Sequence, residues 1–202
     1  MRLLLASSNP GKLSEFRVMA SESVSSPAIE LDPLPNFSQL PAFDESAPTF
    51  AENAAGKALH YSRFSDLPVL ADDSGLVVHA LGGAPGVHSA RYAGTDATDA
   101  DRVVKLLREL RRTGSSDRRA RFVCIMALAR CGRALGVFSD AAEGEIAESP
   151  RGAGGFGYDP VFLLPALGKT FSEIPSEAKN LYSHRGKAFR RLLAYLTSDV
   201  SP

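Results

Sequence analysis

The chain is poor in cysteine, carries no surplus of either charge and contains no long apolar run. Its two cysteines, Cys124 and Cys131, lie in or beside one apolar segment without CxxC spacing. That excludes a disulfide framework and predicts buried free thiols in a reducing compartment. Lysine plus arginine equals aspartate plus glutamate at 23 each, with no polybasic arm and no acidic tail. A nucleic-acid polymer is therefore disfavoured as the main partner, because such binding rests on many phosphate contacts and a basic face. No apolar stretch approaches the roughly 20 residues of a membrane span. The opening MRLLLASSNPGK has too brief an apolar run for a secretory leader and passes straight into a turn. These absences predict a cytoplasmic protein without membrane attachment. There is also no His/Cys zinc spacing, no GxSxG and no internal repeat, so zinc and serine-hydrolase chemistry find no support.

What is present is enough apolar material for a core: 44% of 202 residues, the size of a single domain spanning 1–202. RLLLAS reads as a buried strand, SNPGK as a turn, and KLSEFRVMAS as a helix with Leu13, Phe16 and Ala20 on one face. AIELDPL reads as a second strand. FAENAAGKALHYSRF reads as a helix capped by Thr49, with Phe50, Ala54, Ala58 and Tyr61 inward. PVLA and GLVVHAL read as short strands bracketing Asp72 and Asp73. A helix capped near Thr98 carries Val103, Leu106, Leu107 and Leu110. RFVCIMALAR and ALGVFSDAAEGEIA read as a hairpin turning at CGR, DPVFLLP as a short strand, and SHRGKAFRRLLAYL as a closing amphipathic helix. Strands alternate with helices early and cluster later, which predicts an α/β fold on a mixed sheet.

Four segments carry chemistry. SSNPGK offers Ser7, Ser8, Asn9, backbone N–H groups and Lys12 at a helix start, which suits either an anion cradle or a plain capped turn. It is not a Walker A loop, because Leu13 follows the lysine and Ala6 stands where the first glycine is required. GAGGFG at 152–157 matches GxGxxG, but Tyr158-Asp159-Pro160 and a β-type run follow instead of a helix, so the dinucleotide reading fails. A flexible backbone beside Phe156 and Tyr158 remains, fit for a tight turn or for approach to a flat ring. SHRGKA places His184, Arg185 and Lys187 at a helix start that favours anions, soon after Lys179, which reads as a ligand site or a solvated face. Adjacent Asp72 and Asp73 at a strand end repel each other unless a proton or cation relieves them. Mg²⁺ is the natural relief, since it takes carboxylate oxygens, keeps waters and reaches phosphates; an Asx turn is the alternative. Together the segments are what binding and cutting a nucleoside triphosphate requires.

In order, SSNPGK, FAENAAGKA, LADDSGLVVHALGGAPGVHSARYAG, GGFGYDPVF and SHRGKA resemble the inosine/xanthosine triphosphate pyrophosphatase family from residue 3 to about 196. The resemblance implies an elongated mixed sheet flanked by helices, with two lobes and a substrate cleft between them. It implies a cytoplasmic, Mg²⁺-dependent homodimer that hydrolyses ITP, dITP and XTP to the monophosphate and pyrophosphate. By motif it assigns Ser7, Ser8, Asn9, Pro10, Gly11 and Lys12 to the phosphates. Asp73 becomes proton acceptor and metal ligand, with Asp72 assisting and Ser74 touching substrate. Phe156, Gly157, Tyr158, Asp159, Lys179, His184 and Arg185 line the nucleotide site. The second metal carboxylate comes from DESAPTF, where Asp44 and Glu45 both stand as choices and Ala47 replaces a usual glycine.

In that mechanism Lys12, Lys179 and Mg²⁺ screen the triphosphate while a water is set in line with the α-phosphorus. Donors from His184 or Arg185 aimed at the 6-oxo group favour hypoxanthine and xanthine over adenine, and Phe156 or Tyr158 stacks on the purine. Two alternatives remain: a Maf-type pyrimidine nucleotide pyrophosphatase, and a regulatory module that binds nucleotide without turnover.

Overall fold

The computed structural model describes residues 1–22 and 29–198. Seven strands form one mixed sheet in the order β2-β1-β3-β4-β5-β6-β7, with helices around it. β1 (Arg2–Leu5) pairs in parallel with β2 (Glu30–Pro33) and with β3 (Val69–Val78). β5 (Arg133–Ile146), β6 (Phe162–Leu164) and β7 (Lys169–Thr170) pair antiparallel. β2 is shorter than the expected AIELDPL, whose first residue, Ala28, lies outside the described residues. The hairpin expected at CGR is present: β4 (Arg119–Arg130) turns into β5 through Cys131 and Gly132. Both turn residues have positive φ, 49° and 74°, the twist that suits two-residue hairpin loops; Cys124 is buried in β4 as expected, but Cys131 is exposed because it stands at the hairpin tip.

The acidic stretch corrects the sequence reading. PVLA and GLVVHAL are not two strands flanking a turn; β3 runs unbroken through Asp72, Asp73, Ser74 and Gly75. The aspartates therefore sit inside a strand beside β1, where successive side chains leave on opposite faces. An unbroken β-strand through three polar residues and a glycine contradicts propensity, and the partners described below explain how it is tolerated.

The chain divides into two compact units. The first comprises Met1–Asp73, Cys124–Asp140 and the segment from Arg185 onward. On one face of its part of the sheet, Leu3, Leu5, Leu70 and Met126 pack with Phe16 and Met19 of α1 (Pro10–Glu22) and with Phe189 and Leu192 of α5 (His184–Leu196). On the other face, Leu4, Val69 and Ala71 pack with Ala54, Ala58 and Tyr61 of α2 (Phe50–Tyr61). Thr49 caps α2 by accepting from Glu52 N, as its sequence predicts. Core contacts alternate along β3, so Leu70 marks the α1/α5 side and Ala71 the α2 side.

The second unit comprises Ser74–Val123 and Ala141–His184. Its core gathers Leu76 and Val78 of β3, Phe122 of β4, Phe162 of β6, and the expected stripe Val103, Leu106, Leu107 and Leu110 of α3 (Asp99–Arg112). Thr98 caps α3 in a reciprocal box with Asp101. Among the elements not anticipated are the two-residue β7 and a short helix, α4 (Ser176–Tyr182), which carries Lys179. Both are too short to leave a periodic pattern in the sequence.

Candidate active site

In the first unit, Asp72 and Asp73 belong to different surroundings. Asp72 is fully buried on the α1/α5 side, where Lys12 Nζ lies 2.8 Å from its Oδ2 and Arg185 Nε 3.8 Å from the same oxygen. Arg185 in turn pairs with Glu15 of α1 and lies over the Phe16 ring. Burial alone would raise the Asp72 pKa, but Lys12, Arg185 and Lys57 hold it well below the usual carboxylate range. Asp72 is thus a fixed anion that orders two cations.

Asp73 lies on the α2 side, where Asn53 Nδ2 donates to its Oδ2 at 3.0 Å. Burial is the largest influence and raises it; Asn53 and Lys12 pull down, Glu45 and Asp72 push up, and it settles at about 6. Neighbouring carboxylates thus acquire split acidities, one permanently ionised and one able to exchange a proton near neutral pH, a division found where acid and base roles are assigned. The protein's own groups contribute to that relief: Lys12 and Arg185 approach Asp72 on one face, Asn53 bonds Asp73 on the other, and Lys12 acts on both carboxylates.

α2 explains the second environment. Its buried stripe contains Asn53 and Lys57 among Ala54, Ala58 and Tyr61. Asn53 also accepts from Ala47 N at 3.0 Å and donates to Ala47 O at 3.3 Å, which ties the acidic loop to β3. Lys57 Nζ bonds Glu45 Oε1 at 2.6 Å. Burial disfavours its charge, but Glu45, Asp72 and Asp73 outweigh that and raise its pKa. Asp44, by contrast, is exposed and accepts from Ser46 Oγ at 2.7 Å. Sequence reasoning missed Asn53 and Lys57, although two polar residues four apart inside an otherwise apolar stripe were a usable signal.

The SSNPGK segment is a capped turn and a helix start at once. Pro10, Gly11 and Lys12 form the first turn of α1, and Asn9 Oδ1 accepts from Lys12 N at 3.1 Å. Ser7 is buried with its Oγ accepting from Asn9 N at 3.3 Å, whereas Ser8 is exposed. Ser74, half-buried, opens the second unit directly after Asp73.

The second unit holds the other predicted residues. Asp159 and Lys179 are buried and paired at 2.6 Å, and Asp159 Oδ2 also accepts from Phe156 N at 2.9 Å. Lys179 Nζ stands 5.3 Å from the ring centroids of both Phe156 and Phe171. Gly155, at φ +73°, passes so close to Asp159 that a Cβ there would meet Oδ2 at 2.1 Å. Phe156 is half-buried, but Tyr158 is a core residue whose hydroxyl donates to Ser89 O at 2.8 Å. Of the two aromatics, Phe156 keeps part of its ring at the surface while Tyr158 is closed into the core. His184 is buried and stacks on Phe122, with centroids 4.7 Å apart and planes within 9°. Phe122, Asn53 and Lys57 join the predicted set.

Fold and site define a class: an α/β enzyme that surrounds a carboxylate pair of split acidity with lysines. The chain belongs to the Ham1 family, whose pattern it matches over residues 3–195. It is 50% identical to the dITP/XTP pyrophosphatase of Geobacillus kaustophilus, over 94% of this chain and 91% of that protein. With the dITP/XTP pyrophosphatase of Thermus thermophilus it shares 47% identity, over 96% and 90%. A solved HAM1 protein from Coxiella burnetii superposes with a TM-score of 0.86 at 43% identity, covering 98% of each chain. The Ham1 protein of Staphylococcus aureus gives 0.83 at 37% identity, covering 97% of this chain and 98% of that one.

Proposed function

We propose that this chain hydrolyses non-standard purine nucleoside triphosphates, those of inosine, deoxyinosine and xanthosine, to the monophosphate and pyrophosphate. The observation that carries the reading is the split between Asp72 and Asp73, set among Lys12, Lys57 and Arg185. The names of the relatives support the substrate class.

In this reading Lys12 and the α1 start bind phosphate oxygens. Asp73 takes a proton from water as that water's oxygen bonds the α-phosphorus. The α–β bridging P–O bond breaks, and its electron pair leaves with pyrophosphate. Asp72, ionised throughout, orients Lys12 and Arg185 and takes up no proton. Glu45 and Asp73 repel each other, which a divalent cation would relieve, and two carboxylates suit Mg²⁺, which takes one or two with water and phosphate oxygens. Glu45 rather than Asp44 would be the second ligand, because it lies near enough to Asp73 to raise its pKa while Asp44 is exposed. Bound by Asp73 and Glu45, Mg²⁺ would supply charge neutralisation at the phosphates.

The second unit supplies base recognition. Phe156 offers a ring face, and His184, held by Phe122, offers a donor for the 6-oxo acceptor that adenine lacks. Lys179 belongs to this set, since its charge is matched by Asp159. Arg185 belongs with Asp72 and Glu15 rather than with the base.

Pyrophosphate release from ITP, XTP, GTP, dUTP and dTTP with Mg²⁺ tests the reading. Turnover confined to the purines ITP and XTP is expected. Preference for dUTP or dTTP would favour the Maf-type alternative, and binding without release a regulatory module. A cytoplasmic homodimer completes the proposal; among the described residues no helix is long and apolar enough to cross a membrane, and sedimentation checks the dimer.

A further inference from the structure

The loop carrying Phe156 and Asp159 is anchored from a residue that neither the motifs nor the proposed chemistry uses. Asp99 opens α3, and its Oδ2 accepts from Gly157 N at 2.7 Å while its Oδ1 accepts from Arg102. The helix start does not require Asp99 as its cap, because Thr98 and Asp101 already satisfy each other reciprocally there. Position favours its charge all the same: an anion in the first turn is stabilised by the helix dipole. We propose that Asp99 is a positioning residue for nucleotide recognition, acting by fixing the Phe156–Gly157 peptide.

The physical need for such an anchor lies in Gly157. It sits at φ +63° with open space where a Cβ would be, so conformation and not packing sets this position. A glycine loses the most backbone freedom on ordering and has no side chain to hold it. On the carbonyl side, the Phe156–Gly157 peptide accepts from Asp159 N at 3.2 Å. On the amide side its bond is the one to Asp99. Flanking contacts are firm: Gly154 N donates to Ser172 O at 3.1 Å, Arg151 N to Pro160 O at 2.8 Å, and Tyr158 Oη to Ser89 O at 2.8 Å. Removing Asp99 therefore takes away the amide-side anchor of the peptide that follows the half-buried Phe156 ring, while Asp159 still holds Phe156 through its N–H and its carbonyl and the loop around it stays in place.

The inference rests on the reading that Phe156 meets the nucleotide, and the test separates the two. Steady-state kinetics on ITP and ATP are measured for Asp99→Ala, Asp99→Asn and Phe156→Ala, with thermal melting of each. For Asp99→Ala, KM for ITP is expected to rise about tenfold, the size of one lost hydrogen bond to a charged group, with kcat nearly unchanged. KM for ATP should rise in parallel, because stacking on a ring does not distinguish the 6-oxo from the 6-amino group, so the ITP-over-ATP preference is kept. Asp99→Asn keeps an acceptor oxygen for Gly157 N and should retain most of the wild-type KM. Asp99→Ser, well tolerated at a helix start but too short to reach the loop, gives the same readout should the alanine variant fail to fold. An unchanged KM in Asp99→Ala beside a raised KM in Phe156→Ala overturns the role of Asp99 alone. An unchanged KM in both overturns the nucleotide-loop reading beneath it. An asparagine variant as impaired as the alanine one overturns the hydrogen-bond account.

Discussion

Asp73→Asn should kill the enzyme and strengthen the protein. The folded state raises the Asp73 carboxyl from an ordinary 3.8 to about 6, chiefly by burial. Each tenfold change in proton affinity is worth about 1.4 kcal/mol, so the ionised group opposes folding by up to about 3 kcal/mol. The direction fixes the pH window. Below about pH 4 the carboxyl is protonated in both states and opposes nothing; above about pH 6 it is ionised in both and the full cost applies. Asparagine has the same shape and can still accept from Asn53 Nδ2, so it removes the charge without losing the bond seen at 3.0 Å. Urea unfolding in metal-free buffer is the assay. The variant should match wild type near pH 4 and gain stability over it as pH rises to about 8, by about 1–3 kcal/mol. Turnover should meanwhile fall on the order of a thousandfold, the range for a lost general base. A variant that is less stable than wild type at pH 8, or whose stability difference ignores pH, would refute the claim that burial governs Asp73.

Three other outcomes follow from the same geometry. Lys12→Met strips the nearest cation from a carboxylate with no solvent exposure and should destabilise by about 3 kcal/mol in urea. Asp72 is held below its ordinary pKa, so its contribution is present above that value and is lost only as pH falls far below it. Neighbours His184 and Arg185 should separate by phenotype: His184→Ala lowers the ITP-over-ATP ratio, whereas Arg185→Met lowers the melting temperature by leaving Glu15 and Asp72 short of a cation. If Arg185→Met stays as stable as wild type and loses base preference instead, the assignment reverses. Tyr158→Phe removes the bond to Ser89 O and should cost about 1–2 kcal/mol of stability with KM unchanged, which calorimetry beside ITP kinetics will check.

Much of this was legible in the sequence because it is periodic or capped. The stripe at Val103, Leu106, Leu107 and Leu110, the Thr49 and Thr98 caps and the CGR hairpin all obey local rules, and the structure has each of them. The acidic strand was not legible in the same way. Asp72 to Gly75 carry turn propensities, and only tertiary partners, Lys12 and Asn53 among them, make an unbroken strand tolerable there. The candidate site divides along the same line. Motifs identify which residues carry charge, but the partner of each charge depends on packing. Lys179 pairs with Asp159 and Arg185 with Glu15, and residue spacing specifies neither.

The placement of unlike acids at consecutive positions of β3 has a consequence for folding fidelity. Sliding that strand by a single step against β1 would swing Asp72 toward the asparagine and Asp73 toward the lysine and arginine, and every flanking aliphatic would change sides as well. The two aspartates thereby act as a lock on strand alignment: a misthreaded chain strands Asp72 away from its counter-ions, and the error is rejected during folding.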